Sequence, residues 1–543
     1  MRLAAALVLA AAMPFAGADE LSLAWLRDGH VQSPSAQSAP LPVSVPLGSL
    51  WKLFVYAYAV QTGLPTPAYR CLAVPRAGEE YCCAPGGTVE RNAALARSCA
   101  LFFEPARLHI QTQPWRAFWQ PLTADRARWV ADLDELRPDT RLGVDQILSA
   151  LAVVPAHART EAQSALLPVM TDGYGRGALP HLGGLLRVKT FTWAHPDRPG
   201  SSIGGGAGWM VDGTPVWFAA PGASRTVLAE QAQRLAQWLP EARGGPDGDA
   251  CVLVDYFARY SVRKVERFPG GEPAADGPLS GQYRVTFENG NAVLISSGGE
   301  LSMEVRGQTP VIWGRLALSD YVARVVDREA DARLTHAARA LAIVARTWLT
   351  QNAPFEAGCF RVADSSRTQR VSPRAASRPA RDVSLFTDGL VLDTRAVYRL
   401  DQPTPGVLAW TEAAAQSRAG QTYDAILAAA FPGASLAPAS GERQCRRLPE
   451  AEAWLTRMLP RWRRQLSREP GFEALEQPPT VCALDYGNPY ADAQRLRIHV
   501  RELRTREDRI SLAHEFLHLT FRYHPRGSDE AFIEQLARAL TDG

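Results

Sequence analysis

Apolar positions recur along this chain with two periods. Near the C-terminus Ile510, Leu512, Phe516, Leu519 and Phe521 fall on one face of a helix, and the preceding stretch 495–503 alternates like a strand able to wall a cleft. A second apolar helix begins after Pro46–Ser49 and runs through Leu53, Phe54, Val55 and Val60. In the middle, Cys251–Tyr260 and Tyr283–Ser296 read as strands set off by the loop-like segments 244–249 and 269–277. Two helices are expected next, over Leu316–Glu329 and Ala337–Leu349, the latter rich in alanine. Pro449–Leu466 reads as a helix with a basic stripe of Arg457, Arg461, Arg463 and Arg464, a pattern typical of a solvated face, and Cys482–Val500 supplies further strands.

Length and composition turn these elements into a layout. A chain of 543 residues exceeds what one core supports, and the loop-like segments divide it into units at 19–245, 246–438 and 439–543, a multidomain α+β protein. The formal charge of +3, with both signs interspersed, implies neither nucleic acid nor an anionic membrane surface as partner. Met1-Arg2, the apolar run Leu3–Phe15 and the small residues Ala16-Gly17-Ala18 have the form of a secretory signal peptide over 1–18, so export to the periplasm is expected. No later stretch has the roughly 20 apolar residues of a membrane-spanning helix, so no span is expected after cleavage. In an exported chain the eight cysteines read as disulfides, with Cys71 paired locally to Cys82 or Cys83.

The chemistry-bearing stretch of the C-terminal helix is His514-Glu515-Phe516-Leu517-His518. Residues four apart share a helix face, so His514 and His518 can hold one Zn2+ while Glu515 serves as general base. A catalytic zinc needs a third protein ligand and an open position. Glu530, in the first turn of a further helix after Ser528 as its cap, is the first choice, and His524 and Glu534 are the alternatives. The stretch Asp529-Glu530-Ala531-Phe532 resembles the element from which gluzincin metallopeptidases take a glutamate ligand, which implies a zincin-like α+β domain over 439–543.

Ser49 and Lys52 form an S-x-x-K at the head of the first apolar helix, where an ammonium one turn from a hydroxyl can lose its proton and activate the serine. With the Ala94–Phe103 stretch containing Ser98, and Leu186–Thr192 containing Lys189 and Thr190, it resembles the penicillin-binding-protein transpeptidases over most of 40–240. The resemblance implies a serine transpeptidase-like α/β domain with Ser49 as nucleophile, Lys52 as its base, Ser98 as proton shuttle, and Lys189 with Thr190 as anchor for a substrate carboxylate. The chain departs from that pattern at Ala100, where the family has asparagine, and at Phe191, where it has a glycine beside the substrate path.

Asp320-Tyr321-Val322, Ala345-Arg346-Thr347 and Asp364–Gln369 resemble the stage II sporulation protein D domain of lytic transglycosylases, implying a mixed α+β domain with Glu329 as general acid at a glycosidic oxygen. Ala330-Asp331 replaces the Met-Pro that follows the family's glutamate, and the family's histidine motif is absent. The three-part layout is similar to a group of secreted bacterial proteins encoded beside bacterial α2-macroglobulins, which implies an association with that system. Together the resemblances imply a hydrolase that acts on or binds peptidoglycan, or cuts periplasmic protein, through a zinc peptidase site. Two alternatives stand beside it: a non-catalytic wall-binding scaffold of degenerate enzyme domains, and a serine DD-peptidase or acyltransferase working from Ser49.

Overall fold

The computed structural model describes residues 21–34, 38–245, 250–356, 358–439, 448–475, 478–483, 489–492 and 496–542. The expected signal peptide, Cys445 and part of each segment expected as a boundary lie outside the described residues.

The first sheet is wholly antiparallel, in the order His30–Gln32, Ser22–Arg27, Pro215–Pro221, Ser202–Met210, Leu186–Ala194. Its alternating side chains feed two cores, as a sheet covered on both faces requires. Ala24, Phe191, Trp209 and Trp217 pack with the helix Trp51–Thr62, while Leu23, Trp25, Leu186, Val188 and Phe218 pack on the other side. That second core is shared with residues from the middle of the chain, Ala337, Ala340, Leu341, Ile343 and Val344 of the helix Thr335–Asn352. The opposite side of the same helix, Ala338, Ala342, Ala345 and Leu349, belongs to a third core under the second sheet.

The second sheet has seven strands in the order Val262–Arg267, Gly277–Phe287, Ala292–Arg306, Thr309–Ala317, Cys251–Tyr256, Cys359–Ala363, Phe355–Glu356. Its one parallel pair puts Cys251 opposite Cys359, and a disulfide joins them. The stretch expected as one strand over Tyr283–Ser296 is a hairpin instead, turning at Asn289-Gly290 between two antiparallel strands, with Gly290 at φ 85°. Asn-Gly is a strong hairpin signal, because both residues tolerate positive φ.

In the C-terminal region the helix Pro449–Leu466 forms as expected, and Trp462 fixes it to the others. The Trp462 indole is fully buried, donates to Leu540 O at 3.1 Å, and meets Trp454 and Phe516 at ring-centroid distances of 5.5 and 5.4 Å. A small sheet lies alongside, in the order Thr480–Ala483, Arg497–Val500, Tyr490–Asp492 among the described residues. The strand expected to wall a cleft is therefore the central one, and Tyr490–Asp492 forms the edge.

Disulfides join Cys71 to Cys83 and Cys82 to Cys99, which resolves the expected local bridge in favour of Cys83; Cys482 is also disulfide-bonded. Among the described residues no helix is long and apolar enough to cross a membrane.

Candidate active sites

The helix Arg506–Thr520 carries the first site. Thr505 caps it in a reciprocal box: its hydroxyl accepts from Asp508 N at 3.1 Å, and the Asp508 carboxylate accepts from Thr505 N at 2.7 Å. Two turns on, His514 and His518 face the start of the helix Glu530–Asp542. That second helix is capped by Asp529, whose carboxylate accepts from Phe532 N at 3.1 Å.

Three ligand atoms converge. His514 Nε2 stands 3.1 Å from His518 Nε2 and 3.1 Å from Glu530 Oε2, and His518 Nε2 lies 3.6 Å from the same oxygen. Atoms bound to a tetrahedral zinc at about 2.0–2.1 Å stand about 3.4 Å apart, so the trio matches the spacing of three zinc ligands. The outer nitrogens are also held. His518 Nδ1 donates to Gly527 O at 2.9 Å, and His514 Nδ1 meets Glu534 Oε2 at 3.0 Å, with Arg538 holding the other Glu534 oxygen at 2.7 Å. A proton on each Nδ1 leaves a lone pair on each Nε2, and the two lone pairs then face each other across 3.1 Å. Such an arrangement wants a cation between them. The residues present therefore fit a zinc ion, with Glu530 largely exposed on the side that stays open.

The carboxylates around the pair favour positive charge there. Burial opposes charge on His514 and His518, yet hydrogen bonding to Glu530, together with Glu515 and, at His514, Glu534, raises both imidazoles above their ordinary value. The two histidine contacts in turn hold Glu530 far below the usual carboxylate range. Glu515 is buried beside them, and burial raises its carboxyl. A backbone hydrogen bond ties it to Ala491 of the edge strand Tyr490–Asp492.

Each alternative third ligand is accounted for. His524 caps the turn Pro525–Ser528, accepting from Arg526 N at 3.3 Å, and its ring packs against Gly471. Glu534 lies behind His514 as the group that orients it. The Gly527 carbonyl had no side-chain signal in the sequence. A glycine is needed there, since a Cβ would come within 2.3 Å of Phe521 O.

The second site gathers Ser49, Lys52 and Ser98. Ser49 sits in the turn Gly48–Leu50 that opens the helix Trp51–Thr62, and Lys52 Nζ donates to Ser49 Oγ and to Ser98 Oγ, each at 3.0 Å. Ser98 takes a left-handed conformation, φ 68°, that ends the helix Arg91–Arg97 and turns its side chain inward. Lys52 is 5 % exposed, and desolvation lowers its pKa to about 8. Lys189 is wholly buried and donates to Thr190 O at 3.0 Å; burial first, and the charge of Lys52 second, push it well below an ordinary lysine. Of the two residues expected to anchor a carboxylate, half-buried Thr190 is the more accessible. Phe191 is turned into the core. It is 1 % exposed, stacked between Trp193 and Trp217 at 4.7 and 6.1 Å, and its Cβ would lie 3.3 Å from a side chain at Gly48, which takes φ 55°.

Glu329 stands apart from both groups. Arg370 grips it with two side-chain nitrogens, Nη2 at 2.7 Å and Nε at 3.1 and 3.2 Å, and Arg370 N donates at 3.1 Å. A general acid must offer a proton, whereas both Glu329 oxygens are engaged as acceptors.

Comparison with known proteins adds a family. The family described as DUF2300, predicted secreted protein, matches residues 76–200 and 406–526. The uncharacterized protein YfaQ of Escherichia coli (strain K12) is 41 % identical over 505 residues, 92 % of this chain and 90 % of YfaQ. Two solved structures align with 40 % of the chain: L2 complexed with relebactam (14 % identity, 91 % of that chain, TM-score 0.26) and a class A beta-lactamase described as the last common ancestor of Gram-negative bacteria (15 %, 93 %, 0.25). The family description agrees with the export expected from the first eighteen residues, and three defined disulfides suit an oxidising compartment. The chain belongs to the DUF2300 family of predicted secreted proteins, with YfaQ as a full-length relative.

Proposed function

We propose that this protein is a periplasmic zinc-dependent peptidase acting on peptidoglycan peptides or periplasmic protein. The observation that carries the reading is the convergence of His514 Nε2, His518 Nε2 and Glu530 Oε2 within 3.1 to 3.6 Å of one another. Zinc bound there would supply Lewis-acid polarisation of a carbonyl and of water. Glu515 takes the proton from the attacking water and returns it to the leaving amine, a role its buried position and raised carboxyl suit. Glu534 and the Gly527 carbonyl keep the two imidazoles in the tautomer that offers Nε2. The strand Tyr490–Asp492 borders the site, its Ala491 backbone hydrogen-bonded to the Glu515 carboxylate.

The test is cleavage of purified sacculi and of an unfolded protein substrate by wild type and Glu515→Gln. The reading expects new amino termini from at least one substrate, lost in Glu515→Gln while zinc is retained. Cleavage that survives this substitution would end it.

A second reading, acyl transfer at Ser49, is favoured by one observation, the position of Lys52 Nζ 3.0 Å from both hydroxyls. Here Lys52 accepts the Ser49 proton as Oγ attacks an acyl carbonyl, and Ser98 relays it to the leaving group. A fluorescent β-lactam should label Ser49 covalently, and a label that persists in Ser49→Ala would refute it.

A further inference from the structure

A cleft of about 720 Å³ opens where the first sheet unit meets the middle of the chain, and none of the residues of the two sites above line it. Its apolar walls are Leu185, Met210, Leu239, Pro240, Leu385 and Phe386. Three arginines also line it, and two have partners. Arg378 pairs with Glu241 at 2.7 Å and approaches Asp382 at 3.9 Å, and Arg381 donates to Ala376 O. The third acid of the cleft, Asp320, is held by Arg324 at 2.9 Å.

Arg339 is different. Its guanidinium lies 3.3 Å over the Phe386 ring centroid, its buried Nε has no hydrogen-bond partner, and among the described residues no carboxylate pairs with it. Desolvation lowers it to about 10. A guanidinium stays charged at neutral pH, and charge withdrawn from water is destabilising until a counter-ion meets it.

We propose that this cleft binds a small amphiphilic organic acid, its carboxylate or sulfonate-type group on Arg339 and its apolar body against Phe386 and Leu239. Aromatic stacking orients the guanidinium fork, which suits an acid group that presents two oxygens side by side, as a carboxylate or one face of a sulfonate does. The volume is that of sites for small organic ligands. The walls come from both sides of the junction, so ligand binding would fasten the two together, and Arg378–Glu241 already spans it.

Anilinonaphthalene sulfonate, whose fluorescence rises in apolar surroundings, is the probe, titrated into the full chain, with neutral phenylnaphthylamine beside it. The expected result is saturable sulfonate binding, weakened about tenfold or more in Arg339→Met as one charged pair is lost, with the neutral dye unaffected. Ala242→Trp, which narrows the cleft and leaves Arg339 in place, should exclude both dyes. Decanoate should displace the sulfonate where decanol does not. Absent or non-saturable binding, equal affinity in Arg339→Met, or full binding in Ala242→Trp would overturn the proposal. If Arg339→Met does not fold, Ala242→Trp and the decanoate competition decide it.

Discussion

Lys52 offers a prediction whose size follows from its surroundings. Desolvation lowers its pKa to about 8, with Nζ held 3.0 Å from the Ser49 and Ser98 hydroxyls. At about pH 7.5 roughly a quarter of such a lysine is neutral, against about one in a thousand for a lysine in water, an enrichment in free base of about 200-fold. The assay is the pH dependence of Ser49 modification by a fluorophosphonate, which loses fluoride as serine Oγ bonds to phosphorus. The rate should climb about tenfold per pH unit below 8 and flatten above it, and Lys52→Met should abolish the plateau. The same group predicts a stability change. Its folded pKa lies below its unfolded one, so the unfolded chain holds the extra proton between about 8 and 10.5, and stability rises with pH across that window. The Lys52 share of the gain is about 3 kcal/mol, so the rise is larger by that amount in wild type than in Lys52→Met, where buried Lys189 still contributes, read from thermal unfolding along the pH series. A rate that keeps climbing past about pH 9.5, as for an unassisted hydroxyl, or equal labelling in Ser49→Ala, would refute the reasoning.

Other outcomes follow from the same contacts. Glu534→Gln should weaken zinc binding about 10- to 100-fold in a chelator competition, because His514 Nδ1 loses its carboxylate, whereas His524→Ala should leave it unchanged. Glu329→Gln should cost about 1–2 kcal/mol of stability by releasing Arg370, whose partial exposure limits the value of the pair. Sacculi treated with wild type should yield no anhydromuramyl sugars, and sugars that vanish in Glu329→Gln would return that residue to an acid role. Replacing both Cys251 and Cys359 by alanine should lower stability by about 4 kcal/mol, since their bridge closes a separation of 108 residues, and a loss under about 1 kcal/mol would contradict this.

What the sequence made legible depended on whether a signal was local. The zinc candidates could be read because His514, Glu515 and His518 sit on one helix face and Glu530 opens the next helix, all within seventeen residues. The role of Glu534 was not readable, because a carboxylate one turn from Glu530 serves equally as ligand or as orienting group until the helices are placed. The Gly527 carbonyl was hidden for a simpler reason: backbone acceptors leave no mark in side-chain identity. Asn289-Gly290 was a visible turn signal, overridden by the apolar residues on both sides of it. The alanine-rich helix Thr335–Asn352 was legible as a helix, but periodicity cannot say that its two sides belong to two different cores. Arg339 carries no signal of its own in the sequence, since its place over Phe386 arises only where distant segments meet. The burial of Lys189 depends likewise on packing from outside its own strand.

The central claim is that His514, His518 and Glu530 hold a zinc ion. Metal content of the purified full chain, by plasma mass spectrometry, tests it most directly when wild type, His514→Ala and Glu530→Ala are compared. Close to one zinc per wild-type chain is expected, none in His514→Ala and a weakly held fraction in Glu530→Ala. No zinc in a wild type supplied with it, or equal zinc in wild type and His514→Ala, would contradict the claim.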